Sequence, residues 1–177
     1  MNYFELYELP VSFAVDAAQL KRKFYELSKK FHPDFYISES SEEQDRVLEL
    51  STLNNKAYKV LSDPLKRIEY VLSVNNMLAE GEKYQLPQQF LMEMMDVNEA
   101  IMEQEFEPDA VAIEDIKTQV GEIEAKLFDE LKKYTTAFDS EDQEDKKELL
   151  FKIKDIWYRE KYLLRIRESL SRFASRL

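Results

Sequence analysis

Cysteine is absent from this 177-residue sequence, and glycine and proline are scarce, with 2 and 5 residues. Without cysteine the chain has no disulfides and no thiolate metal sites, and nothing in it indicates an oxidising compartment. Sheet proteins need turn residues about every 8 to 12 positions, so the shortage of glycine and proline favours long helices. We therefore predict an all-α protein.

Basic residues are also fewer than acidic ones, and long apolar runs are absent. The 36 acidic residues outnumber the 25 basic ones, which gives a formal net charge of -11. A chain of that charge is repelled by phosphate backbones and by anionic lipid surfaces. No apolar run approaches the roughly 18 residues of a membrane span, and no signal-like leader follows Met1. We expect no nucleic-acid partner, no membrane partner and a cytoplasmic location.

Charge and turn residues divide the chain into two parts. Residues 1–75 carry 10 basic and 12 acidic groups, whereas residues 76–177 carry 15 and 24. Between them lie the pair Asn75-Asn76 and Gly81, and a glycine costs about 1 kcal/mol inside a helix. We predict an N-terminal domain over 1–75, a linker over 76–86 and a C-terminal three-helix domain over 87–177.

Two amphipathic patterns predict an antiparallel helical hairpin in the first domain. Asp16 is a suitable N-cap for the first helix, whose apolar residues recur at spacings of three and four: Ala17, Leu20, Phe24, Leu27 and Phe31. The other side of this helix is basic and includes Lys21, Arg22 and Lys29. The second helix carries a similar stripe: Val47, Leu50, Asn54, Ala57 and Leu61. A shorter helix is predicted from Leu65 to about Val74.

Three longer patterns predict an antiparallel three-helix bundle in the second domain. Its first helix should begin near Pro87 and run to about Phe106. The next helix has a regular apolar stripe: Ile113, Ile116, Val120, Ile123, Leu127, Leu131, Tyr134 and Phe138. After a polar turn at 139–144, the last helix has another: Leu149, Ile153, Ile156, Leu163, Leu170 and Leu177.

The loop of the hairpin contains His32, Pro33 and Asp34, which we call the HPD segment. One interpretation is a helix stop beside an incidental polar pair, because a proline ends the helix before it. Catalysis would require a base, a nucleophile or a metal site nearby, and this sole histidine has no cysteine partners. The chain also lacks a glycine-rich phosphate loop. We expect neither an enzyme nor a cofactor nor a metal site.

The order of motifs around the HPD segment resembles the J domain of DnaJ-type co-chaperones. It runs from Tyr3-Phe4-Glu5-Leu6 through the basic helix to residues 54–67, over about 70 residues. The resemblance implies that the HPD segment stimulates the ATPase of a DnaK-class chaperone. It also implies that Lys21, Arg22 and Lys29 dock on an acidic face of that chaperone. Phe35 departs from the pattern, because most J domains have a basic residue after the aspartate.

Other segments resemble the HscB family more specifically. They are Leu9-Pro10, residues 63–72 and residues 90–93, and the length of the chain also agrees. The resemblance implies a J domain followed by a three-helix domain that binds the iron–sulfur scaffold protein IscU and presents it to the chaperone HscA. Neither a zinc-binding cysteine site nor a Gly/Phe-rich segment accompanies it here.

The helix after Pro87 has a composition suited to holding a protein client. No basic residue occurs between Lys83 and Lys117, while acidic residues accumulate there together with four of the five methionines other than Met1. One edge of the helix mixes soft apolar side chains with carboxylates: Leu91, Met92, Met95, Asp96, Glu99 and Glu103. We expect this edge to bind the scaffold and Tyr162 of the last helix to join it. Alternatively, the methionines belong to the core and the acids form a solvated face.

The partners that follow are a DnaK/HscA-class chaperone and an IscU-type scaffold protein. The alternative keeps the J domain but makes the C-terminal helices a dimerising coiled coil or a dock for a different client. Their near-heptad spacing is compatible with such a coiled coil. We expect a monomer.

Overall fold

The computed structural model describes residues 1–140 and 145–175, and within those ranges the secondary structure is entirely helical. The predicted all-α class is therefore confirmed. The chain divides into two compact units, Met1–Met77 and Leu78–Leu177. Within the same described ranges, no helix is both long enough and apolar enough to pass through a bilayer.

The first unit contains four α-helices and one short 3-10 helix. They are α1 (Tyr3–Leu6), α2 (Ala17–Lys30), the 3-10 helix (Pro33–Tyr36), α3 (Ser41–Leu61) and α4 (Pro64–Val74). Asp16 caps α2 as predicted, because its Oδ1 accepts a hydrogen bond from the backbone N of Gln19 at 2.7 Å. The helices α2 and α3 pack against each other as the predicted hairpin.

The apolar stripe of α2 faces the core, with one exception. Leu20 is buried, and Phe24, Leu27 and Phe31 are half-buried, but Ala17 is exposed. The expectation for Ala17 was wrong because this residue occupies the first helical position, at the very end of the packed surface. On α3, Val47, Asn54, Ala57 and Leu61 are buried, and Leu50 is half-buried.

A buried amide connects three helices of the first unit. The Asn54 Oδ1 accepts a hydrogen bond at 2.8 Å from the hydroxyl of Tyr7, the residue that follows α1. Its Nδ2 donates to the backbone oxygen of Phe24 at 3.1 Å and to the Ser28 Oγ at 3.0 Å, both on α2. Burial removes water from the Tyr7 hydroxyl and raises its pKa. The side chain of Asn54 thus fixes the position of α3 relative to α2 through satisfied polar contacts.

The second unit is a three-helix bundle with short connections. Its helices are α5 (Gln88–Phe106), α6 (Ala110–Asp139) and α7 (Lys146–Ala174). The predicted stripe of α6 is buried or half-buried throughout. On α7, Ile153, Ile156, Leu163 and Leu170 are buried and Leu149 is half-buried, whereas Leu177 and residues 141–144 lie outside the described residues. The single tryptophan, Trp157, is also buried on α7.

The segment before α5 is attached to α7 by its side chains. Lys154, which is only 7% exposed, donates to the Glu82 carboxylate at 2.5 Å, and the Tyr158 hydroxyl donates to the same carboxylate at 3.0 Å. The Tyr84 hydroxyl donates to Asp155 at 2.7 Å, and its ring stacks on that of Tyr158. Residues 82–84 of the predicted linker therefore belong structurally to the second unit. The sequence pattern did not reveal this, because the partners lie about 70 positions away.

Candidate functional site

The HPD segment lies where the chain leaves α2 and turns toward α3. His32 caps the 3-10 helix, and Pro33 and Asp34 are its first two residues, so the segment is more ordered than the predicted loop. The fixed φ of proline suits the first position of such a helix, which explains the difference. All three residues are exposed. The His32 Nδ1 accepts a hydrogen bond from the backbone N of Asp34 at 3.3 Å, and it lies 3.7 Å from the Asp34 carboxylate.

Hydrogen bonds on both sides hold the 3-10 helix in place. The Tyr36 hydroxyl donates to the backbone oxygen of Lys30 at 2.9 Å, at the end of α2. On the α3 side, the Gln44 Nε2 donates to the backbone oxygens of Ile37 at 3.1 Å and Glu39 at 2.9 Å. The HPD segment is therefore presented from a braced turn, which lowers the entropic cost of binding a partner.

Lys21, Arg22 and Lys29, which we call the basic face, are all exposed on α2. Arg22 and Lys29 are seven residues apart and so lie in one row along the helix, whereas Lys21 is offset by about 100°. Lys23 does not join them, because it is half-buried and forms an ion pair with Glu8. The hydrogen bond from Lys23 holds the pKa of the Glu8 carboxyl below its usual value.

On the second unit, α5 separates buried and exposed residues cleanly. Its core side consists of Phe90, Met94, Val97, Ile101 and Gln104. The six residues predicted as the client edge are all exposed, and we call them the α5 outer face: Leu91, Met92, Met95, Asp96, Glu99 and Glu103. The alternative that places the methionines in the core holds for Met94 alone, because Met92, Met95 and Met102 are exposed.

Tyr162 differs in position from the other predicted client residues. It is half-buried on α7, where its hydroxyl accepts a hydrogen bond from the Asn98 Nδ2 at 2.8 Å. Its ring meets the buried ring of Phe90 edge-on, with the centroids 5.8 Å apart. Tyr162 therefore contacts α5 at Asn98 and Phe90, which are not part of the outer face. Because it is half-buried, only part of its side chain is available to a partner.

The sequence interpretation missed two exposed apolar residues on α5. Met102 and Phe106 are 61% and 86% exposed, and they continue the apolar surface toward the end of the helix. Their spacing was a usable signal, since Phe106 lies four residues after Met102 and seven after Glu99. The turn beyond them is fixed, because the buried Gln104 accepts a hydrogen bond from the backbone N of Asp109 at 2.8 Å.

The basic face and the α5 outer face are suited to binding other proteins. Both surfaces are exposed faces of helices, one basic and one that mixes apolar side chains with carboxylates. In the described part of the chain, no group of three or more metal-ligating side chains is placed so that it could hold a metal ion.

Two family models match the chain over separate ranges. Residues 2–70 match the DnaJ domain, and residues 86–171 match the HSCB C-terminal oligomerisation domain. The iron-sulfur cluster co-chaperone protein HscB of Homo sapiens is 36% identical over 154 residues, covering 86% of this chain and 63% of the relative. The co-chaperone protein HscB homolog of Vibrio vulnificus is 38% identical over 104 residues, covering 58% of this chain and 61% of the relative. The chain thus spans about three fifths of the length of these curated relatives.

Solved structures of similar proteins have the same fold. Human HscB superimposes with a TM-score of 0.78 at 29% identity, covering all of this chain and 84% of the human one. HscB from Vibrio cholerae gives a TM-score of 0.73 at 27% identity, covering 99% of both chains.

Proposed function

This chain belongs to the HscB family, and on that premise we propose that it is a co-chaperone, not an enzyme, with two protein partners. It stimulates ATP hydrolysis by a DnaK/HscA-class chaperone through its first unit. Through its second unit it brings an IscU-type scaffold protein to that chaperone and so aids iron–sulfur cluster assembly or transfer. Tethering both partners raises the effective concentration of the client beside the ATPase.

The observation that carries the proposal is the exposed and braced HPD segment at the end of a basic helix. His32, Pro33 and Asp34 are exposed, and the turn that carries them is held to α2 by the Tyr36 hydroxyl and to α3 by the side chain of Gln44. Exposed polar side chains on an ordered turn are available to a partner, which then loses little entropy in ordering them. The basic face beside it is suited to steering an acidic protein surface into place.

The α5 outer face supports the choice of client. Exposed apolar side chains beside carboxylates suit a partner that is both apolar and basic, with apolar anchors supplying affinity and the charges setting orientation. The sequence of α5 itself contains no lysine or arginine that could pair with those carboxylates. Tyr162 borders this surface and contributes the exposed part of its ring.

Steady-state ATP hydrolysis by a purified DnaK/HscA-class chaperone tests the proposal. The wild-type protein should accelerate hydrolysis, while His32→Ala and Asp34→Ala should each abolish the acceleration and keep the native helical content. Glu69→Ala is a matched control, because Glu69 is an exposed carboxylate of the same unit, on α4. Normal acceleration by both HPD variants would refute the assignment of the first unit.

The alternative, in which the C-terminal helices dimerise or bind another client, remains testable. The matching family model describes an oligomerisation domain. Against a coiled coil between copies, the apolar stripes of α6 and α7 are already covered within their own bundle. We therefore propose a monomer. A solution mass of twice 21.1 kDa would favour the dimer instead.

A further inference from the structure

Two apolar side chains beside the HPD segment have no role in the function proposed so far. Phe35 and Ile37, which we call the apolar pair, are 68% and 72% exposed. Large apolar side chains exposed on an element held in place from both sides are typical of interaction surfaces. Here the hydrogen bonds of Tyr36 and Gln44 fix the backbone that presents them.

The apolar pair is continuous with the HPD segment. The Phe35 ring lies against the His32 ring, with the centroids 5.6 Å apart. A partner that covers His32 and Asp34 therefore also approaches Phe35. Leu48, another exposed apolar residue, lies one turn beyond Gln44 on α3 and extends the surface.

The sequence around the pair disfavours a purely electrostatic contact at this end of the hairpin. No lysine or arginine occurs between Lys30 and Arg46, whereas five acidic residues do: Asp34, Glu39, Glu42, Glu43 and Asp45. Glu43 is paired with Arg46 at 3.3 Å, and the Asp34 carboxylate lies 3.7 Å from His32. A partner surface acidic enough to bind the basic face of α2 would be repelled by the other three carboxylates, which favours apolar contact as the source of attraction near residue 35.

We infer that the apolar pair is a second docking point for the same ATPase partner, contacting an apolar patch beside the acidic surface that the basic face engages. This inference rests on the proposed function. The interaction then has two components that respond differently to salt. The basic face contributes a screened attraction, and Phe35 and Ile37 contribute apolar burial that salt does not weaken.

The test measures ATPase stimulation as a function of co-chaperone concentration, at about 0.1 M and about 1 M salt, where the screening lengths are about 10 and 3 Å. The double variant Phe35→Ala/Ile37→Ala should raise the half-maximal concentration roughly tenfold at both salt concentrations, as truncation of anchor residues does. Maximal stimulation should be retained, because the HPD segment is intact. The matched control is Phe128→Ala/Leu164→Ala, whose residues are exposed on the second unit.

A second double variant tests the same inference with a conservative change. Phe35→Leu/Ile37→Leu keeps two large apolar side chains in place, so its half-maximal concentration should stay near that of the wild type at both salt concentrations. An unchanged half-maximal concentration for the double alanine variant, or a loss in the leucine variant as large as in the alanine variant, overturns the inference. If the wild type stimulates, His32→Ala does not and the double alanine variant equals the wild type, only this inference fails. If the wild type itself does not stimulate, the proposed function fails with it.

Discussion

At the scale of single residues, Asn54 is the clearest case of a polar side chain that defines the fold. It is 1% exposed in the first unit, and its amide satisfies partners just after α1 and on α2. A buried group with this many partners is costly to remove, because each partner left behind has lost its contact with water as well.

We predict that Asn54→Ala destabilises the first unit by about 1 to 3 kcal/mol, because the buried Tyr7 hydroxyl keeps only the longer hydrogen bond to the backbone oxygen of residue 54 and the half-buried Ser28 Oγ loses its donor. Urea denaturation followed by circular dichroism measures the change. The neighbouring Asn55 is exposed and offers a matched control, so Asn55→Ala should have little effect. Equal midpoints for the two variants would contradict the structural role of Asn54.

At the scale of elements, the charge on α2 sets how the first unit meets its partner. We predict that Lys21→Glu/Arg22→Glu raises the co-chaperone concentration needed for half-maximal ATPase stimulation about tenfold. Added salt should raise the same concentration for the wild type, because it screens the attraction. The variant Lys56→Glu/Lys59→Glu changes the net charge equally but on exposed positions of α3. If both variants weakened stimulation to the same degree, net charge and not the basic face would be responsible.

The helix α5 allows binding and stability to be separated. Because Leu91, Met92 and Met95 are exposed, their joint replacement by alanine should cost several kcal/mol of scaffold affinity but shift the melting temperature little. Scaffold affinity by calorimetry and thermal unfolding are measured on the same protein. Full-strength scaffold binding by a well-folded triple variant would remove the α5 outer face from the proposal.

Two adjacent methionines supply the matched comparison for that experiment. Met94 is 1% exposed and Met95 is 68% exposed, so Met94→Ala should cost about 2 to 5 kcal/mol of stability and Met95→Ala very little. A large loss of stability in Met95→Ala would mean that the outer face is part of the core after all.

At the scale of the whole molecule, pH acts on the side-chain contacts that attach residues 82–84 to α7. The hydrogen bond from Lys154 holds the pKa of the Glu82 carboxyl below its ordinary value of 4.5. A carboxyl whose folded-state pKa is lowered adds stability above the ordinary value and loses it as the pH falls through the lowered pKa. We therefore predict that Glu82→Gln is less stable than the wild type at pH 7 and that this difference disappears in acid.

Fluorescence of the buried Trp157 during urea unfolding follows the second unit specifically, since the first unit has no tryptophan. Glu80→Gln, at an exposed position nearby, should match the wild type at every pH. A constant difference between Glu82→Gln and the wild type across the acid range would show that charge on Glu82 is unimportant.

Periodicity predicted most of the helices because each amphipathic stripe encodes its own buried face, as the stripe of α6 illustrates. Capping by Asp16 was equally local. Two features were not predictable in this way. The 3-10 helix at Pro33 depends on bracing by Gln44, and the attachment of Glu82 depends on Lys154, which is distant in sequence. On the candidate site, composition and helical spacing identified the six residues of the α5 outer face, Met95 but not Met94 among them, and missed Met102 and Phe106, which the bundle also leaves exposed.

The absence of lysine and arginine from the sequence of α5 also determines which chemical probes react with its side chains. Trypsin has no cleavage site between Lys83 and Lys117, so the entire α5 outer face remains within a single peptide, residues 84–117. Amine-directed cross-linkers cannot label residues 84–116, whereas carbodiimide activation of Asp96, Glu99 and Glu103 would couple them directly to lysines of a bound partner. A complex held by this face should therefore be evident in carboxyl–amine coupling at these three residues, which lysine–lysine reagents cannot produce.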